Sequence, residues 1–239
     1  IYQLSPQRLI GFETLARWIN PHQGLLAPFA FIPLAEETGL IFEIDQFIIQ
    51  QAVDAIGKWT KNFPEIPLFV SANASGASFK NPEFLSFIEN TIQKASLVSR
   101  GFVLELTEGI LIENLEITKT KLDRMQEFGI KIALDDFGPG YSSLKYVNQL
   151  PIDYIKIDKT FIDQLFLSEK NSRMVRSIIN MADDLGLGIV AEGVESEDQL
   201  HWLAKSPTVK GQGYFFSRPV PWAEAEGLLE DTRAFETLL

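Results

Sequence analysis

The stretch I-K-I-A-L-D-D-F-G-P-G-Y-S-S-L-K-Y-V-N-Q-L-P-I-D-Y-I-K-I-D, residues 130–158, decides how the rest of the chain is read. Its first five residues are an apolar run that predicts a buried strand. Two adjacent carboxylates, Asp135 and Asp136, follow directly. A loop with Gly138, Pro139 and Gly140 comes next, closed by Ser142 and Ser143 and a short amphipathic turn of helix. A second apolar strand over 154–157 delivers Lys156 and Asp158. Acids placed where a strand ends and a glycine loop begins suit a metal or phosphate site. A single aspartate there would more readily be read as the cap of the next helix. Recurrence of the pattern along the chain argues instead for a shared site.

Working outward, strands and helices alternate. Residues 1–4 and 9–18 are extended around the turn signal Ser5-Pro6-Gln7, which predicts an antiparallel hairpin. Helical spacing is expected over 29–38, 44–62, 82–94, 115–128, 172–185, 196–204 and 223–230. Strands are expected over 68–72, 102–106, 188–191 and 208–210. Helices between strands imply parallel pairing through right-handed crossovers. The pattern fits an α/β fold, a TIM-like (β/α)8 barrel with one antiparallel strand supplied by the first hairpin. A doubly wound open sheet is the alternative. No linker or low-complexity tract divides the 239 residues, so a single barrel domain is expected. The chain begins at Ile1, inside a strand, and reads as a piece of a longer, multidomain protein.

In a barrel, the residues that close the strands gather at one rim, where active sites form. The strand ends here carry Glu13 and Arg17, Asn73, Glu105 and Glu108, Asp135 and Asp136, Lys156 and Asp158, Glu192 and Glu195, and Gln212. Two carboxylates ~4 Å apart repel by about 4 kcal/mol at an effective dielectric near 20. Arg17 and Lys156 alone do not balance so many acids, so bound divalent cations are expected. Oxygen donors without cysteine or a nearby histidine point to Mg²⁺ or Mn²⁺. His22 reads as a surface turn residue and His201 as a residue of a late helix. Tyr214 and Phe216 suit either stacking on a ligand base or core packing.

Composition narrows the partners. Lys plus Arg is 21 against Asp plus Glu 32, a formal net charge of −11, which argues against a nucleic-acid polymer or an anionic membrane surface. No apolar run reaches the ~18 residues of a membrane helix. The absence of cysteine excludes disulfides and thiol chemistry. A cytoplasmic location is expected, with a parent protein free to be membrane-attached.

Seven segments occur in one order: E-T-L-A-R-W from Glu13, the Asn73 segment, E-L-T-E from Glu105, D-D-F-G-P-G-Y-S-S, K-I-D, A-E-G-V-E and G-Q-G-Y. Together they resemble the EAL-domain cyclic di-GMP phosphodiesterases, over nearly the whole chain. The resemblance implies a barrel with one antiparallel strand and metal-dependent hydrolysis of cyclic di-GMP to linear pGpG. It implies Glu13, Asn73, Glu105 and Asp135 as ligands of one cation, and Asp135, Asp136 and Glu192 as ligands of a second. Lys156 would hold the attacking water, and Glu108 would anchor the loop of residues 136–143. Leu15 and Arg17 would contact the ligand base and phosphate, with Asp158, Glu195, Gln212 and Tyr214 as further substrate-side residues. It also implies a homodimer through that loop and the helix after it, and an upstream sensor or GGDEF-type domain.

Three residues depart from the family pattern: Thr14 for Ala, expected at the barrel interior or wall; Ala72 for Val; and Pro139 for Thr or Ala, which restricts the loop. A non-catalytic cyclic di-GMP receptor is the alternative function. A metal-dependent barrel enzyme acting on a sugar or enol is a more distant one.

Overall fold

The computed structural model describes residues 1–95, 101–112, 114–137 and 147–236. The expected loop residues Gly138, Pro139, Gly140, Ser142 and Ser143 lie outside them. The described chain forms a nearly closed barrel. Its strands are β1 (Tyr2–Leu4), β2 (Gln7–Leu9), β3 (Gly11–Thr14), β6 (Phe69–Asn73), β7 (Phe102–Thr107), β8 (Lys131–Phe137), β9 (Tyr154–Ile157), β10 (Gly188–Ala191) and β11 (Val209–Gly211), in the order β2-β1-β11-β10-β9-β8-β7-β6-β3. β2 and β3 run on from each other with Ile10 between them, so the ring has eight positions. Ile1 O closes it by accepting from Ile10 N at 3.0 Å and Gly11 N at 3.2 Å. β1 is antiparallel to both of its neighbours, β11 and β2, and every other barrel pair is parallel.

The expected hairpin is present, but residues 9–18 do not form one strand. At Ile10 the chain changes partners: its N–H bonds to Ile1 while its carbonyl accepts from Phe69 N. After Thr14 the backbone leaves the barrel at its rim. It then forms a separate antiparallel hairpin of β4 (Trp18–Asn20) and β5 (Gly24–Leu26), which the sequence reading did not anticipate. His22 lies in its exposed turn, held by Asn20 Oδ1.

Outside the barrel are α1 (Ile32–Thr38), α2 (Ile41–Asn62), α3 (Gly76–Lys80), α4 (Phe84–Lys94), α5 (Glu108–Ile112), α6 (Leu115–Glu127), α7 (Lys159–Asp163), α8 (Glu169–Asp184), α9 (Glu197–Leu203) and α10 (Trp222–Glu236). α2 buries Ile49, Ala52, Val53, Ile56 and Trp59, a helical stripe pressed on the sheet. Side-chain caps fix where several helices begin. Ser196 and Gln199 form a reciprocal capping box on α9. His201 lies on its exposed side, 3.9 Å from Glu197.

Strand alternation makes two cores. Phe102, Leu104 and Leu106 face the helices, as do Ile155 and Ile157, in one large cluster. Ile1, Ile10, Val190 and Phe69 form a smaller cluster. Val103, Glu105, Ala133, Asp135, Tyr154 and Lys156 take the alternate phase, facing the lumen. Polar groups therefore collect at the carboxyl-terminal mouth, above an apolar plug. No described helix is long and apolar enough to cross a membrane.

Candidate active site

Lys156 is the centre of the mouth. Its side chain is 2% exposed, and its Nζ lies 2.6 Å from Glu105 Oε2, 2.7 Å from Glu192 Oε1, 3.1 Å from Asp135 Oδ1 and 3.6 Å from Glu13 Oε2. Five strands thus aim one ammonium and four carboxylates at one point. Two amides tie the acids together. Asn73 Nδ2 donates to Glu13 Oε1 at 3.0 Å, while Gln212 Nε2 donates to Glu13 Oε2 at 2.6 Å and Glu192 Oε1 at 3.0 Å. Thr14 Oγ1 donates to Ser71 O, fastening the end of β3 to β6 at the barrel wall.

Adjacent residues of a regular strand point to opposite faces, so Asp135 and Asp136 would not ordinarily converge. β8 solves this with a bulge. Its register against β9 slips between Leu134 and Phe137, and Asp136 takes φ 54°, a left-handed conformation that aspartate tolerates better than most residues. Asp136 N donates to Asp135 Oδ1 at 3.0 Å. As a result, oxygens of Asp135, Asp136 and Glu192 lie within 4.8 Å of one another.

The remaining candidates sit around this centre. Leu15, Arg17, Glu195 and Tyr214 line the same cleft, of about 880 Å³. Arg17 is exposed and bonds to Ala16 O. Glu195 pairs with Lys159, which also reaches Asp163 at 3.2 Å. Asp158 caps α7, accepting from Thr160 N at 2.9 Å. Glu108 is half-buried at the first turn of α5, directly after β7. Phe216 stacks on Tyr2 at 4.6 Å and belongs to the packing, whereas Tyr214 is exposed beneath the Arg218 guanidinium, 4.8 Å from its ring centre. Lys159 and Arg218 were not singled out in the sequence. The signal for each was its spacing, Lys159 directly after K-I-D and Arg218 four residues after Tyr214.

The electrostatics mark a surplus of negative charge. Burial pushes Glu105 up to about 8 against the pull of Lys156, helped by Glu13 and Asp135. Burial raises Glu192 to about 7, again against Lys156 and with Asp135 and Glu13 adding to it. Burial, then the charges of Asp135 and Asp158, raise Asp136. Burial acts on Glu13 too, but Lys156 and the amides of Gln212 and Asn73 outweigh it and lower its pKa. On Lys156, burial is outweighed by Glu105, Glu13, Glu192 and Asp135, which hold it well above the usual lysine range. An all-oxygen donor set with this charge surplus fits hard divalent cations.

A pH dependence follows. Glu105 and Glu192 are raised above the ordinary carboxyl value, so their protonated forms favour the folded state. Without metal, their contribution is complete below about pH 4.5 and is lost as pH rises through 7 and 8. Divalent cations should then release protons on binding, more at pH 6.5 than at pH 9. Calorimetric titration in buffers of different ionisation enthalpy measures this, and equal release at both values would contradict it.

Gly213 is required by close approach. It has φ 154°, and a Cβ there would lie 2.2 Å from Val194 O and 2.3 Å from Val194 N. Gly213→Ala is expected to destabilise the fold by about 1–3 kcal/mol and lower Tm by several degrees. It should also weaken Mg²⁺ binding by displacing Gln212. An unchanged Tm and Mg²⁺ affinity would rule this out.

The chain is similar to known proteins over most of its length. The family model described as "EAL domain" matches residues 1–219. The Mycobacterium tuberculosis protein Rv1354c is 36% identical over 225 residues, covering 94% of this chain and 36% of that protein. "Cyclic di-GMP phosphodiesterase NbdA" of Pseudomonas aeruginosa is 37% identical over 233 residues, covering 98% of this chain and 30% of that protein. The chain therefore spans about a third of the length of these curated relatives. Among solved structures, "PaMucR Phosphodiesterase, c-di-GMP complex" superposes with a TM-score of 0.84 at 33% identity, covering 89% of this chain and 86% of that one.

Proposed function

The chain belongs to the EAL domain family, and from that premise we propose that it is a metal-dependent phosphodiesterase that hydrolyses cyclic di-GMP to linear pGpG. The observation that carries this reading is the convergence of Glu13, Glu105, Asp135 and Glu192 on Lys156 at one mouth of the barrel. The names of NbdA and the PaMucR complex support the choice of substrate.

Glu13, Asn73, Glu105 and Asp135 would hold one divalent cation, and Asp135, Asp136 and Glu192 a second, with Asp135 shared. Such a pair, Mg²⁺ or Mn²⁺, would supply charge to the phosphoryl oxygens and acidify water. The chain's own residues do the rest. Arg17 offers a planar guanidinium to the phosphate, and Leu15 and Tyr214 offer apolar faces to the bases. Lys156 donates from Nζ to the attacking water and orients it towards phosphorus. As water adds, the P–O3′ bond breaks and the leaving oxygen takes up a proton, leaving the 5′-phosphate of pGpG. Gln212 keeps the Glu13 and Glu192 carboxylates apart and aligned, and Glu195 and Asp158 secure the surrounding loops. Glu108 would anchor the loop after β8.

Residues 1–239 are read as one barrel domain of a longer cytoplasmic or membrane-attached protein. It would dimerise through the region after β8 and be controlled by an upstream sensor or GGDEF-type domain. The test of function is incubation with cyclic di-GMP and Mg²⁺ or Mn²⁺, followed by chromatography. Linear pGpG is the expected product. Tight binding without turnover would instead assign a receptor, and neither would set the whole reading aside.

A further inference from the structure

The opposite, amino-terminal mouth of the barrel is built differently. Two aromatic rings close it, bedded on two glycines. A Cβ at Gly188 would lie 2.3 Å from the Tyr154 ring, and one at Gly11 would lie 2.8 Å from the Phe69 ring. Phe69 and Tyr154 are near-parallel, 6.1 Å apart at 13°. Two ammonium groups share the Tyr154 ring. Lys131 Nζ is 5.3 Å and Lys210 Nζ 5.0 Å from its centre, and Lys131 Nζ is 3.3 Å from the Tyr154 hydroxyl oxygen. Arg8 adds a third cation. Gln3 pairs with Lys210 on one side and with Arg8 on the other, which puts all three on one face, and Arg8 Nε donates to Gln3 Oε1 at 3.0 Å.

Among the described residues, none of these three cations has a carboxylate partner. That is unexpected in a chain of net charge −11. The charges are also felt: burial, and then Lys131, lower the Lys210 pKa. Cation–π contact holds the ammonium groups in place without neutralising them. An anion would relieve their repulsion and accept hydrogen bonds from groups already gathered.

We propose that this mouth is a binding site for a small oxyanion of the phosphate class, held by Lys131, Lys210 and Arg8 over the Tyr154 ring. It lies at the end of the barrel opposite Lys156 and shares no residue with the catalytic mouth. Lys131 and Asp135 are four residues apart on one strand, about 13 Å at strand rise. An anion there would also stabilise the fold, since the cation cluster exists only in the folded chain.

The test uses metal-free protein titrated with inorganic phosphate at constant ionic strength, read by calorimetry and by Tm. Saturable binding of one phosphate is expected, together with a rise in Tm. Lys131→Met and Lys210→Met should each weaken it about tenfold or more, the loss of one charge-assisted bond. Arg17→Met, at the other mouth, should leave it unchanged. Lys131→Arg and Lys210→Arg keep the charge and should retain binding, which separates loss of the site from loss of the fold. In the Arg17→Met variant, where the nucleotide cleft is impaired, a nucleoside monophosphate that binds more tightly than phosphate and loses affinity with Lys210→Met would identify an esterified phosphate as the ligand, and equal affinity would identify the free ion. The proposal is overturned if wild-type protein shows no saturable phosphate binding, or if binding survives both Lys→Met changes and falls with Arg17→Met.

Discussion

Lys156→Met is expected to reduce hydrolysis of cyclic di-GMP by a factor of about 10²–10⁴, as for loss of a residue acting on the nucleophile. The structure adds a second effect. Lys156 is the buried counter-charge of four carboxylates. Removing one side of a buried ionic cluster destabilises by about 3–5 kcal/mol, because the remaining charges have neither water nor a partner. The metal-free variant should therefore have a lower Tm, and the loss should be greater at pH 8 than at pH 5, where the acids can hold protons. Divalent cations should restore the Tm without restoring turnover. That separation is the decisive measurement: turnover within tenfold of wild type, once folding is restored by Mg²⁺, would make Lys156 a structural residue only.

Glu13→Gln should be nearly as severe for turnover, about 10³-fold or more, if the proposed assignment of Glu13 as an anionic metal ligand holds. The geometry explains why the conservative change is not harmless. Both Glu13 oxygens accept from amides, Oε1 from Asn73 and Oε2 from Gln212. A glutamine must turn its own NH₂ towards one of them, so one donor faces another and one buried hydrogen bond is lost, at about 1–3 kcal/mol. Binding of cyclic di-GMP should fall far less than turnover, because Arg17 and the cleft walls remain. Turnover close to wild type at saturating Mg²⁺ would remove Glu13 from the ligand set.

Much of the barrel was legible because periodicity marks long elements well. The apolar runs at Tyr154–Ile157 and Gly188–Ala191 are strands with the expected limits. The β4–β5 hairpin was hidden because Leu9, Ile10, Phe12, Leu15 and Trp18 recur closely enough, around Glu13, Thr14 and Arg17, to read as one strand, while the actual break is a change of hydrogen-bond partner at Ile10. α3, α5 and α7 were missed because five residues are too few to show a helical period. Asp158 shows the competition directly: it ends a strand beside the site, and its carboxylate caps the next helix. That Glu13, Glu105, Asp135, Lys156 and Glu192 meet at one point was readable because parallel strands bring their ends to one mouth. Its wiring was not, since the Gln212 link to Glu13 spans 199 positions in sequence.

The bulge in β8 also sets a limit on how the chain can change. Leu134 and Phe137 both lie in the core between sheet and helices, although three positions apart, because one extra residue restores their phase. Deleting either aspartate would do more than remove a carboxylate. It would remove the extra residue, so strict alternation would resume with Phe137 two positions after Leu134 and still facing the helices, while the bulge that lets neighbouring carboxylates converge would be gone. Substitution and deletion at this point are thus different kinds of event, one chemical and one geometric. For the same reason, two adjacent acids copied onto the strand of another barrel would not reproduce this pair: what has to be transferred is a length of chain, with its slip, rather than two side chains.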